Sequence, residues 1–400
     1  MSQRSGSIDI QDLQDIWTPF GEQLRGIYKR SFAYITIKDR LPVILTKIID
    51  TLSRNKESIA QKYGENATEE IKQIVGFISK LKNQITTNKT LKPLRLLTNG
   101  EDNDAEEWNK YLLKRTEIEN GTPVWFNTIW LYCECYMYRT IAQEFLLTCD
   151  LSLSAGADVN QTCNPIAVLK SLDENILVDN SESIWNLLTK KETNESTIID
   201  VVLDNAGYEL FTDLCLSVFL IAGKFAGKIR FYVKRYPWYI SDATTNDFYW
   251  TLDYMKNSSN KNLQQLSNLA YDYLKNKLWT IEEESFWTSP YDFADMKEHD
   301  PVLYAKLSEA KIAIFKGDLN YRKLVGEINW EYTTEFTEAL RGFQPTTILS
   351  FRTVKSDVCV GLPRGVAEEL FKKDESWMFS GDYGLIQTTI AGTCPCDRVC

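Results

Sequence analysis

The sequence predicts an α/β protein: a helical N-terminal region followed by a largely parallel sheet with helices on both faces. Three observations predict it. Apolar residues recur at helical spacing from Phe32 to about Cys149, short β-branched runs alternate with amphipathic stretches after Lys190, and each such run ends in a cluster of polar residues. Strands separated by helices demand crossover connections, and crossovers join parallel strands.

Taken in order, residues 1–30 read as a flexible extension. The segment Leu41–Leu52 places apolar residues three and four apart, with Pro42 where a first helical turn tolerates it, and Glu69–Lys82 repeats the pattern. Asn99–Ala105 reads as an acidic loop. The aromatic run Trp130–Arg139 reads as a buried helix, with Glu134 and Arg139 paired or snorkelling. Thr197–Leu203 is a β-branched strand stopping at Asp204-Asn205-Ala206-Gly207, and an amphipathic helix, Glu209–Leu220, follows. Lys228–Val233 is a second strand. Trp238–Ile240 is a short extended piece ending at Ser241-Asp242, and Asp247–Met255 a helix. Lys311–Phe315 and Thr346–Phe351 complete the strands, running into Lys316–Arg322 and Arg352–Lys355. The domain expectation is a helical domain over 31–190, an αβα domain over 191–390 and a Cys-rich tail over 391–400.

Composition narrows the function. The chain has 400 residues, 44% hydrophobic and 25% charged, which suits a folded globular protein. A formal charge of −10 disfavours nucleic acid and anionic membranes as partners. The longest apolar region, Leu214–Ala222, is well short of the roughly 20 residues a bilayer span needs, and the expected setting is cytosolic or nuclear. The nine cysteines then read as reduced thiols. His299 is the one histidine, which excludes a His-based metal cluster and weighs against Ser-His-Asp or Cys-His catalysis. Chemistry must run on carboxylates, amides, lysines and oxygen-bound metals.

The strand ends supply that set. Asp204, Asn205 and Asp242 offer two carboxylates and a carboxamide, hard ligands suited to magnesium or manganese. Asp318 adds an acid, and Lys316, Arg322, Arg352 and Lys355 add cations able to hold phosphoryl oxygens. Backbone N–H groups of the turn Lys316–Asn320 suit phosphate as well. Each residue also reads as an ordinary turn, cap or solvated charge. Recurrence at three strand ends favours metal-assisted phosphoryl chemistry. Ala206 stands where a haloacid-dehalogenase phosphatase needs a second Asp, and Gly207 is too isolated for a phosphate-binding or dinucleotide loop.

The runs Leu203–Leu210 (LDNAGYEL), Pro237–Asp242 (PWYISD), Phe315–Leu324 (FKGDLNYRKL) and Arg352-Thr353-Val354-Lys355 resemble the domain-of-unknown-function 89 family. The Arg-Thr-x-Lys signature is similar to that of its third subfamily, the metal-dependent damage-control phosphatases. Phe32–Arg40 and Glu134–Arg139 extend the resemblance over nearly the whole chain. It implies a helical domain on a Rossmann-like αβα sandwich, and hydrolysis of small sugar phosphates such as fructose 1-phosphate or fructose 6-phosphate. It also implies a divalent ion (manganese, nickel, cobalt or magnesium) on Asp204, Asn205 and Asp242. Asp204, Asn205, Asp318, Leu319, Asn320, Tyr321, Arg322 and Lys355 match substrate contacts. Members have also been described as S-adenosylmethionine-dependent protein-glutamate O-methyltransferases, for which Glu209, Asp242 and Arg40 match cofactor positions and proteins would be substrates. The chain departs from the pattern twice. A helical stretch usual between Arg139 and Asp150 is missing, and the ending Cys394–Cys400 lies outside the family pattern and reads as a reducible tail.

Overall fold

The computed structural model describes residues 13–64, 66–96, 104–148, 173–190 and 196–391, and the chain divides into two compact units. The first takes in the described residues up to 148 together with Glu327–Asn329. Its main helices are α1 (Leu41–Arg54), α2 (Ala67–Thr86), α3 (Asp104–Ile118) and α4 (Trp130–Thr148). Pro42 stands in the first turn of α1, as expected. Ile71, Ile74, Ile78, Leu81 and Ile85 form one buried stripe along α2, the spacing of an amphipathic helix.

The aromatic run on α4 is core: Tyr132 is fully buried and packs against Trp108 and Tyr111 of α3, at centroid distances of 6.0 and 4.8 Å. Arg139 is buried too and forms an ion pair with Asp104 at 2.6 Å. Asp104 and Ala105, expected in an acidic loop, begin α3, where a carboxylate suits the positive end of the helix. The rest of that loop, the Cys-rich tail beyond residue 391 and residues 1–12 lie outside the described residues. From residue 13 the stretch expected as an extension is tied into this unit. Leu24 is fully buried, its carbonyl accepts from Trp130 N at 2.8 Å, and Gln23 bridges to Ile328.

The second unit is built on a seven-stranded sheet of β1 (Ile176–Asp179), β2 (Ile198–Val202), β3 (Lys228–Val233), β4 (Trp279–Glu283), β5 (Ile312–Lys316), β6 (Thr347–Thr353) and β7 (Gly384–Thr389). Its order is β1-β7-β6-β5-β2-β3-β4, and every pairing is parallel except β6 with β7. Because β1 pairs with β7, this unit begins before residue 190, earlier than expected. Ile199, Val201, Ile229, Phe231, Ile312 and Ile314 supply the sheet side of its core, and Leu210, Leu214, Phe248 and Leu252 the helix side. Burying each such side chain contributes about 1.5–3 kcal/mol. Among the described residues no helix is long and apolar enough to cross a membrane.

Two features position the site. From β2 the chain adds β3 and β4 on one side, then crosses back to add β5 and β6 on the other, so β2 and β5 flank a switch point. Loops leaving such a pair diverge and open a crevice at the strand ends. Second, the expected extended piece Trp238–Ile240 is a turn: Tyr239 and Ile240 have φ of 45° and 72°, a left-handed conformation rare for a β-branched residue. It reverses the chain just before Ser241 and Asp242.

Beneath the sheet surface, Asp200 of β2 and Arg230 of β3 form a buried two-pronged ion pair at 2.6 and 2.9 Å, and Arg230 also binds Glu309. Burial pushes Asp200 up to about 6 against the pull of Arg230. Removing one partner leaves an uncompensated buried charge. Arg230→Met is expected to lower unfolding stability in urea by roughly 3–5 kcal/mol, and adding Asp200→Asn to recover much of the loss; equal stability of wild type and R230M would refute the ion pair's importance.

Candidate active site

Backbone hydrogen bonds lace the loop after β2 to the loop after β3. Ala243 N donates to Asp204 O at 2.7 Å, Ala206 N to Ser241 O at 2.8 Å, and Asn205 bridges Asp242. Asp204 and Asp242, 38 residues apart in sequence, therefore meet. The Ser241 hydroxyl donates to Asn205 Oδ1 at 2.6 Å, and the Asn205 amide donates to Asp204 (2.7 Å) and Glu209 (2.9 Å). Asp242 is buried, and its Oδ2 lies 3.3 Å from the Lys234 ammonium. That lysine, itself buried, donates to Leu203 O at 2.8 Å.

The third strand end arrives through glycine. Gly317 has φ of +85°, and a Cβ there would collide with the Asp204 carboxylate. Only a bare backbone lets the β5 turn touch the acid of β2. Gly317 also opens the helix α5 (Gly317–Leu324), with Asp318 in its first turn. The helix α6 (Tyr208–Ala222) brings Glu209 in its first turn. Lys316 sits between Glu209 (3.3 Å) and Asp213 (2.7 Å). Burial opposes its charge, but the two acids outweigh it and hold Lys316 above its ordinary range.

Arg352 does not reach into the open. Its guanidinium is buried, donates to Asp318 (2.8 Å), Ser356 and the Val358 carbonyl, and lies 4.1 Å from the Tyr321 ring centre. It holds Asp318 and the following loop in place. Val354 is buried and bonded to Tyr383 O, whereas Thr353 and Lys355 are exposed. Asp204, Glu209, Lys316, Asp318 and Lys355 share a cavity of about 350 Å³. Of the run Asp318–Arg322, only Asp318 is on its wall: Leu319, Asn320, Tyr321 and Arg322 are buried, Asn320 donating to Lys316 O at 2.7 Å and Tyr321 accepting from Val360 N. Arg40 belongs to the first unit, its guanidinium 4.7 Å from the Phe32 ring centre.

Sequence reasoning passed over Lys234. A lysine directly after the apolar strand Ile229–Val233 reads as the strand's solvated end; its one signal was standing at the same sheet end as Asp204 and Asp242.

The electrostatics suit a cation. Burial raises the Asp204 carboxyl well above its usual range, repulsion from Asp242 and Glu209 adds to this, and Lys234 and Lys355 oppose it. Burial likewise pushes Asp242 up to about 6, against Lys234. Among the described residues no three His, Cys, Asp or Glu side chains form a metal cluster. The fit rests on two desolvated, mutually repelling carboxylates with a carboxamide beside them, a hard oxygen-rich donor set. As placed, however, the Asn205 oxygen is turned to Ser241 and its N–H to the acids.

Fold and site together define an α/β protein with a small-ligand cavity beyond the carboxyl ends of β2, β5 and β6. The chain belongs to the damage-control phosphatase ARMT1-like domain family, whose model matches residues 36–146 and 148–370. It is similar to the damage-control phosphatase ARMT1 of Danio rerio, 38% identical over 435 aligned residues that cover 92% of this chain and 96% of the relative. The proteins of the same name from Bos taurus and Homo sapiens are 37% and 35% identical, each covering 89% of this chain and 96% of its own. A solved DUF89 family protein from Pyrococcus horikoshii matches 68% of this chain and 87% of its own, at a TM-score of 0.33 and 14% identity. The Danio rerio alignment is longer than this chain's 400 residues, so the relative carries residues this chain lacks.

Two outcomes follow from the geometry. The raised Asp242 carboxyl keeps in the folded state a proton that the unfolded chain releases at about pH 4, so its stabilising effect is present in acid and lost as pH rises through about 6, and the raised Asp204 carboxyl acts in the same direction. Metal-free protein is expected to melt at a higher temperature at pH 5.5 than at 7.5, with divalent cations shrinking the difference; a profile rising with pH would contradict it. Gly317→Ala is expected to displace Asp204, weakening manganese binding by about tenfold or more in calorimetric titration, while the far-ultraviolet spectrum stays that of a folded protein.

Proposed function

We propose that this chain is a metal-dependent phosphatase of small phosphorylated metabolites, with fructose 1-phosphate and fructose 6-phosphate in its substrate class. The observation that carries the reading is the meeting of Asp204 and Asp242 at the sheet's switch point, beside the Gly317 turn and Lys355. Asp204 and Asp242 would hold manganese, nickel, cobalt or magnesium, with Asn205 exchanging its N–H for its oxygen. When bound, such an ion polarises a phosphoryl oxygen and lowers the pKa of water.

The chain's own groups do the rest. Lys355, exposed at the cavity, neutralises the phosphate as a point charge. Gly317 and Asp318, which open α5, line the same cavity, and their backbone N–H groups would suit the anion. Lys316 and Arg352 act through others: one fixes Glu209, the other Asp318. Lys234 anchors Asp242 from behind. Glu209, one of the positions linked by resemblance to S-adenosylmethionine, is held in an ion pair by Lys316, and the phosphatase reading takes precedence. The proposed setting is a reducing cytosolic or nuclear one, in keeping with the free thiols of Cys133, Cys215 and Cys359.

Chelator-treated protein is expected to hydrolyse p-nitrophenyl phosphate and fructose 1-phosphate only after manganese, cobalt or nickel is restored. Asp242→Asn should lower kcat by at least about a hundredfold. Undiminished turnover by the metal-free protein would defeat the proposal.

A further inference from the structure

The cavity has a second wall that phosphate chemistry leaves unused. Lys316 of β5 pairs directly with Phe351 of β6, and Phe351 with Ile386 of β7, so the three side chains form one row on one face of the sheet. The Lys316 ammonium lies 5.6 Å from the Phe351 ring centre, and all three line the cavity. Its floor thus passes from charged to aromatic to aliphatic over two strand spacings, roughly 10 Å. Ile176 extends the apolar end, and Tyr208 lines the same cavity from the start of α6. Tyr208 is 51% exposed, so its ring is not consumed by the core.

We propose that Tyr208 and Phe351 are specificity-determining residues that select phosphomonoesters whose phosphate is carried by a flat or apolar-faced ring. This rests on the phosphomonoester reading for the anionic end of the ligand. With phosphate held near Asp318 and Lys355, the carbon skeleton lies over Phe351 toward Ile386, against Tyr208. A ring laid there buries its carbon–hydrogen or π face on apolar surface. An open polyol laid there leaves hydroxyls facing groups that cannot bond them. The cavity volume, about 350 Å³, is at the small end of ligand pockets and suits a phosphate with one ring.

Non-hydrolysable probes separate this inference from the catalytic one. In calorimetric titrations of the manganese-loaded full chain, phenylphosphonate is expected to bind about tenfold tighter than methylphosphonate. Tyr208→Ala is expected to bring the two affinities close together, and Tyr208→Phe to keep them apart. Equal affinities in the wild type, an undiminished preference in Y208A, or no binding of either probe would overturn the inference. Selective binding by a protein that hydrolyses no phosphomonoester would uphold the inference and defeat the phosphatase reading. Hydrolysis without ring preference would do the reverse.

Discussion

Two carboxyl groups that repel one another are confined in one desolvated corner, and the neighbouring structure compensates for that confinement. Asp204 and Asp242 cannot relax apart, because the loops that carry them are laced by main-chain hydrogen bonds. Neither can turn freely outward: Asp204 is pressed on the bare backbone of Gly317, and Asp242 is buried against Lys234. Two like charges in low dielectric are costly, and one buried ammonium offsets only part of that cost. The left-handed Tyr239 and Ile240 are part of the same arrangement. Non-glycine residues persist in that conformation where surrounding contacts over-determine them, as the hydrogen bonds on either side of this turn do.

The parallel sheet explains why three distant segments can converge at all. Each strand delivers its following loop to the same end, and the reversal of strand order between β2 and β5 leaves the space between their loops unfilled. The acids come from β2 and β3, the glycine turn from β5 and the Arg352–Lys355 run from β6. Buried Arg352 then performs a structural task with a functional consequence. By binding Asp318 and the loop carbonyl of Val358, it fixes the helix start that faces the cavity.

Much of this was legible in the sequence because the central strands are short, β-branched and buried on both faces. Ile198–Val202, Lys228–Val233 and Ile312–Lys316 nearly coincide with the runs that periodicity predicts. The strands missed, β1, β4 and β7, flank them and are half-buried; Trp279–Glu283 ends in two acids, and Gly384–Thr389 begins with a glycine, which blurs the signal. The Tyr239–Ile240 turn was illegible in principle, since aromatic and β-branched residues favour extended backbone and tertiary contacts override that preference here. Polar strand ends could be recognised as a cluster from composition. Which cations face outward could not, because Arg352 and Lys355 are only three residues apart yet one is buried and the other exposed.

That difference decides what the site offers an anion. Lys316 is neutralised between Glu209 and Asp213, and Arg352 by Asp318, so neither presents net positive charge to the cavity. Lys234 is spent on Asp242 and the Leu203 carbonyl. What remains is the Asp204 carboxyl, which Lys355 and the already engaged Lys234 offset, with a surplus acid from the Glu209–Asp213 pair. A phosphate dianion entering this cavity meets a balance that is neutral to negative, and desolvation strengthens the repulsion. The divalent cation proposed between the paired acids would reverse that sign, so the electrostatics would favour phosphate binding after the cation and disfavour it before. Under that proposal, the same carboxylates that make the corner costly when empty of positive charge would make anion capture conditional on it.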